Sequence, residues 1–232
     1  MYADAHLPAP PPPPGWLVVV DVIAKVLLLA AIARISVDPA WGNLEGKAPG
    51  ARALTYPLLA LVVPVWHAVA RSGRPYPWGA DVLVTLPGFS DILGNRLDLY
   101  DRLTWFDDAI HLAATGSLAA AVVLLAGAAH ASVLLRLEVA VASGMTMALA
   151  WEVWEYAAFV TRSREVATAY ADTVGDLAMG WTGAVAAALL VGLAHPRQRR
   201  SPRSGTWGLP VELVSEGGLE PPRPNTGTST SS

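Results

Sequence analysis

The sequence contains no cysteine. That absence removes disulfides, thiolate nucleophiles and cysteine-bound zinc together. Charge is also scarce: 15% of the 232 residues are Asp, Glu, Lys or Arg, where soluble domains carry about a quarter. No basic excess is present either, since the net charge is −3. A nucleic-acid partner, which needs a positively charged face, is therefore not expected. Nor does the chain contain a nucleophile elbow, a phosphate-binding glycine loop or an arginine-rich clamp.

What remains is apolar. Hydrophobic residues make up 53% of the chain, and they fall in long runs with the charges clustered between them. A helix needs about 20 residues to cross a bilayer core about 30 Å thick. By that measure the chain predicts an all-α, polytopic transmembrane helix bundle of about six spans. They lie near residues 16–35, 54–70, 76–95, 104–128, 139–159 and 173–194. The count falls to about five if the 76–95 segment is re-entrant, because Asp81, Pro87-Gly88 and Asp91 interrupt it. The bilayer is thus the expected partner, and nothing in the sequence names a protein partner or a reaction.

The ends read differently. Residues 1–15 form a proline-rich leader expected to be disordered. It has no Lys or Arg ahead of the first apolar run, which argues against a cleaved signal peptide despite the Ala31-Ile32-Ala33 string. Residues 195–232 form a tail, basic at Arg197, Arg199, Arg200 and Arg203 and then rich in Gly, Pro, Ser and Thr; disorder is expected there too. The string from Gly218 to Pro224 resembles peptides made when a reading frame runs into a transfer-RNA gene, so the stretch after about residue 205 is expected to carry no function. Positive charge divides evenly between the two sides: Arg71, Arg74, Arg136 and the tail arginines face Arg34, Lys47, Arg52, Arg96, Arg102, Arg162 and Arg164. The dense cluster after the last span favours a cytoplasmic C-terminus in the inner membrane.

Three motifs could carry chemistry. The fourth span opens with Asp107, Asp108 and His111; the fifth closes with Glu152 and Glu155; the sixth opens with Asp172 and Asp176. Consecutive spans alternate in direction, so these ends share one membrane face whichever way the chain inserts. Asp91 and Asn95 join them if the third segment spans. Within each motif the residues lie one helical turn apart and project from one side. Small-residue stripes indicate which side. Ala140, Gly144, Ala148 and Glu152 form one on the fifth span; Asp172, Asp176, Gly180, Ala184, Ala188 and Gly192 on the sixth; His111, Thr115 and Ala119 on the fourth. Membrane helices pack closely along such stripes, so the acids should point into the bundle.

Plainer explanations exist for some of these residues. Asp107, Asp108 and Asp172 sit in first helical turns, where a carboxylate caps free N–H groups and suits the helix dipole. Glu152 and Glu155 lie near a helix C-terminus, where the dipole disfavours them, and within membrane depth, where an unpaired carboxylate costs a few kcal/mol. A salt-bridge network with Arg96, Arg102, Arg162 and Arg164 is one way to neutralise them. A bound divalent metal such as Mg, Mn, Fe or Zn is another, with Asp107, Asp108, His111, Glu152, Glu155, Asp172 and Asp176 as its donor set. Proton- or cation-coupled transport through Glu152, Glu155 and Asp176 is a third, and a purely structural or partner-binding scaffold a fourth. His67, His130 and His195 read as interfacial polar residues, and most tryptophans as an aromatic belt.

Taken in order, Asp91-Ile92-Leu93-Gly94-Asn95, Leu99-Tyr100-Asp101, Asp107-Asp108-x-x-His111, Trp151-Glu152-x-x-Glu155 and Asp172-Thr173-x-x-Asp176 resemble the YjdF-like inner-membrane proteins of bacteria. The acid-to-histidine opening of the fourth span is also similar to VanZ-type proteins. The resemblance covers roughly residues 54–194 and implies a small polytopic membrane protein; it supplies no reaction. One departure is Gly180, where asparagine is common among relatives, which weakens a ligand role one turn below Asp176.

Overall fold

The computed structural model describes residues 14–70, 75–158 and 160–196. The leader up to residue 13, Arg71, Arg74 and the tail from Arg197 onward lie outside the described residues. Among the described residues every regular element is helical: α1 (Gly15–Val37), α2 (Pro49–Ala70), α3 (Trp78–Arg96), the single-turn α4 (Leu99–Arg102), α5 (Phe106–Leu125), α6 (Val133–Ala158) and α7 (Ala169–Ala194). Five of them, α1, α2, α5, α6 and α7, are long and apolar enough to cross a membrane. The all-helical expectation therefore holds.

Local chemistry sets the ends. The chain leaves the helical region at Asp38, which precedes Pro39, because the proline ring crowds a helical residue before it. Proline at the first position of α2 costs nothing, since that N–H has no partner in a helix anyway. α5 ends at Leu125, just ahead of Gly127, whose φ of 69° is open to glycine at little cost. Ser132 opens α6 by accepting the Leu135 N–H at 3.2 Å. These signals move several boundaries from their predicted places. α2 opens at Pro49 and α6 at Val133, both earlier than hydropathy indicates, while α5 stops at Leu125.

The helices form two groups of three. One is α1, α2 and α3; the other is α5, α6 and α7; α3 packing on α5 joins them. The small-residue stripes lie where they are expected. On α6 the buried residues are Arg136, Ala140, Gly144, Ala148 and Glu152, one residue every turn. The α5–α7 contact is the closest approach, since a methyl group at Gly183 would run into the Leu112 carbonyl. By contrast, the outward residues of α1, including Val19, Ile23, Val26 and Leu27, stay exposed, as lipid-facing residues should.

The third predicted span, 76–95, is not among the five helices long and apolar enough to cross a membrane, and α3 covers that stretch. It is one unbroken helix with Pro87 inside it, and it packs against α1, α2 and α5 together. Asp81, Thr85, Asp91 and Asn95 are all buried on it, so its polar groups face protein. At the α1 end, Asp81 lies 2.7 Å from Lys25 Nζ, which also meets Asp21 at 2.6 Å and Thr85 Oγ1 at 3.0 Å. The Asp21–Lys25 pair read from α1 thus has a third charged member from α3. Tyr76, just before α3, donates to Asp81.

Candidate functional site

His111 stands at the centre of the acidic face. The buried stripe of α5 puts it in the bundle with Thr115 and Ala119 beneath it. Around its ring are Asp107 of the same helix, Glu152 of α6 and Asp176 of α7, each with one carboxylate oxygen 3.6 Å from a ring nitrogen. That separation exceeds a hydrogen bond. Glu152 Oε1 is buried and no hydrogen bond reaches it. Glu155, one turn on, accepts from Trp151 Nε1 at 3.0 Å.

Two triads have the geometry of a metal site, with donor atoms within 4.8 Å of one another: Asp107, His111 and Asp176, and His111, Glu152 and Glu155. Five of the seven residues singled out from the sequence therefore come together, four carboxylates around the His111 imidazole. Asp108 is exposed and outside both triads; Asp172 is exposed too, but borders the adjoining cavity. Hard or borderline divalent cations take carboxylate oxygens and imidazole nitrogen together. Gly180 holds no polar group here. A methyl at that position would sit 3.1 Å from Thr115 Oγ1 and 3.4 Å from Ala148, so the glycine serves helix approach.

A second assembly lies beside the first and was only half visible in the sequence. Asp91 is buried and accepts from Arg52 Nε at 2.9 Å, Tyr56 O–H at 2.6 Å, Tyr100 O–H at 3.1 Å and Asn95 Nδ2 at 3.1 Å. Burial is the chief reason the Tyr100 phenol is held above its ordinary range, with the Asp91 carboxylate adding to it. Asp91 and Asn95 were expected on this face, but the cation was not. Arg52 lies in the first turns of α2, ahead of where the hydropathy run begins. Of the arginines expected to neutralise the acids, Arg162 donates to the Ala158 carbonyl and Arg96 lies over the Trp41 ring. A usable signal was the stripe Arg52, Tyr56, Ala60 and Val63, which is the buried face of α2.

Arg136 requires a similar correction. The sequence places it in a loop, yet it is buried on α6, where it donates to the carbonyls of Ala188 at 3.1 Å and Ala131 at 2.8 Å. A residue with that many carbonyl acceptors can stay charged inside a bundle. Removing Arg52 and Arg136 from the loop tally takes one residue from each side, so the balance stays even.

A family model described as a predicted membrane protein (DUF2238) matches residues 20–197. The chain belongs to this family. The YjdF-like resemblance read from the motifs points to the same family. No curated protein and no solved structure matches the chain. The DUF2238 match runs from α1 to the end of α7. It therefore takes in α2, α3, α5, α6 and α7, which supply the acidic face and its neighbouring ion cluster, and reaches back into α1, so it is broader at its N-terminal end than the motifs alone indicated.

Proposed function

We propose that the acidic face around His111 is a divalent-cation site of a bacterial inner-membrane protein. The observation that carries this reading is the His111–Glu152 pairing. Carboxylates from three helices approach one imidazole without hydrogen-bonding it, and the Glu152 oxygen nearest the ring has no hydrogen-bond donor at all. Buried carboxylates crowded together repel unless protonated or neutralised. A cation at either triad, Asp107–His111–Asp176 or His111–Glu152–Glu155, neutralises its carboxylates with the donors already present. Asp108 and Asp172 then belong to the rim of the site.

The test is elemental analysis of protein purified in a mild detergent, alongside Glu152→Gln. Stoichiometric metal that falls with the substitution supports the reading. A metal-free protein, unchanged after loading with Mn²⁺ or Zn²⁺, sinks it.

A second reading, cation-coupled transport through Glu152, Glu155 and Asp176, is favoured by one further observation. A separate buried ion set, Asp21, Lys25 and Asp81, lies at the opposite end of α3 from Asp91. Flux into proteoliposomes that needs Glu152 would support transport over a resident metal. We also place the C-terminus in the cytoplasm, which puts the His111 face on the periplasmic side. A reporter fused after residue 196 that is active only in the periplasm would reverse that orientation.

A further inference from the structure

Beside the cluster is a cavity of about 640 Å³, large enough for a small organic molecule and far larger than a single ion needs. Its lining changes character along its length. Asp107, His111, Glu155 and Asp172 line it at the charged face. Leu58, Leu59, Leu118 and Met147 line a second, apolar part. Leu118 follows His111 by nearly two helical turns on α5, so that part begins roughly 10 Å deeper.

The charged part is acidic. Five carboxylates, Asp91, Asp101, Asp107, Glu155 and Asp172, line the cavity against two cations, Lys47 and Arg52. Both cations are already engaged, Lys47 with Asp101 at 3.1 Å and Arg52 with Asp91 at 2.9 Å. Asp91 also accepts from Tyr56, Tyr100 and Asn95. The acids Asp107, Glu155 and Asp172 thus exceed the positive charge of the lining. Neither triad contains more than one of these three, so a metal at either one leaves the lining acidic.

An ionised carboxylate only accepts hydrogen bonds, so such a lining calls for a ligand that donates them and is positive. Glu155 takes one bond from Trp151 Nε1 and has acceptor capacity beyond it. Glu152 is 7% exposed, and its Oε1, 3.6 Å from the ring of the cavity-lining His111, receives none. A protonated amine brings positive charge and N–H donors in one group. Tyr100, Trp151 and Trp154 on the same lining suit it as well, because aromatic faces attract cations. The Arg52 guanidinium already lies 5.8 Å from the Trp154 centroid. An anionic head meets repulsion from these acids, and a neutral one leaves their charge unanswered.

We propose that the cavity binds an amine carrying an apolar chain. The ammonium sits among Asp107, Glu155 and Asp172, and the chain runs toward Leu118 and Met147. This goes beyond the cation reading and does not rest on it. Octylamine, octan-1-ol, octanoate and octyltrimethylammonium are titrated calorimetrically at pH 7 into the full chain in maltoside micelles, each against protein-free micelles. Metal content is determined on the same samples. Octylamine is expected to bind at least about tenfold more tightly than octan-1-ol or octanoate. It should also exceed octyltrimethylammonium, which has the charge but no N–H, by about threefold or more. Glu155→Gln and Asp172→Asn are each expected to weaken octylamine by about fivefold or more, and Met147→Trp, which fills the apolar part, by about tenfold or more. Octylamine affinity unchanged in whichever of these variants fold would overturn the proposal, as would any of the other three probes matching octylamine. The octylamine preference in a protein that takes up no metal upholds this inference and defeats the cation reading. Metal uptake without the preference does the reverse.

Discussion

Glu152 of α6 holds Oε1 3.6 Å from His111 Nδ1 of α5, and no hydrogen bond reaches that oxygen. Two groups that could bond have been held just short of it by helices that are themselves closely packed. Gly144, two turns from Glu152 on the same face of α6, would carry a methyl group only 2.8 Å from the Ala184 methyl of α7. Rigid backbones therefore fix the separation, which is what a cation between the two groups requires.

Glu152→Gln is expected to lower metal occupancy by at least about tenfold, since even groups one shell further out cost that much. In the presence of EDTA the same variant should melt at or above the wild-type temperature, because a buried carboxylate has been removed. Elemental analysis and a thermal melt check the two halves. A variant that keeps its metal, or melts lower in EDTA, contradicts the assignment.

Arg52→Met strands Asp91 in the bundle with its neutral donors alone. Breaking a buried pair from one side costs about 3–5 kcal/mol. Arg52→Met with Asp91→Leu together should cost clearly less than the sum of the two single changes, because neither charge is then left alone. Reversible unfolding in mixed micelles reads the difference, and simple additivity would show that the pair is not coupled.

Gly183→Ala should destabilise the α5–α7 seam by about 1–3 kcal/mol through overpacking, since the added methyl meets the Leu112 backbone carbonyl. Gly175→Ala, on the same helix with nothing within 4 Å of the new methyl, should be neutral or slightly stabilising. Equal melting temperatures for the two would mean that the helices are not as close as described.

Outside the spans, Asp101 hydrogen-bonds Lys47 at 3.1 Å, and that contact holds its carboxyl below the ordinary value of 3.8. The folded state therefore binds the proton less readily than the unfolded chain. The contribution is present in full above pH 3.8 and lost as pH falls through the lower folded value. The stability gap between wild type and Lys47→Ala should be small, shrink with salt and close below that pH. A gap that widens in acid has the wrong sign.

Much of the site was legible because its residues obey helical spacing. His111, Glu152 and Asp176 each sit on a stripe of small residues, and close packing of those stripes brings the three together. Alternating helix direction then places them at one face without any distance information. Arg52, Lys25 with Asp81, and Arg136 were harder to see. Their partners are distant in sequence or are backbone carbonyls, which leave no pattern in a side-chain string. Boundaries drawn from hydropathy also end where charge begins, so a charged first turn that faces inward is assigned to a loop. That is how Arg52 was overlooked. Aromatic residues show the same limit. Trp151 reads as a belt residue, yet it stacks on Tyr56 and donates to Glu155.

The helix whose acids face protein on three sides has a consequence for biogenesis. α3 carries Asp81 and Asp91, and charged residues at membrane depth make a lone segment partition poorly out of the translocon. Lys25, already delivered with α1, and Arg52, delivered with α2, offer it counter-ions before α5 has been synthesised. Seating of α3 among the other helices therefore depends on the two helices made before it. A nascent chain lacking either cation would be expected to leave this segment stranded at the surface, where a site-specific labelling reagent could reach it.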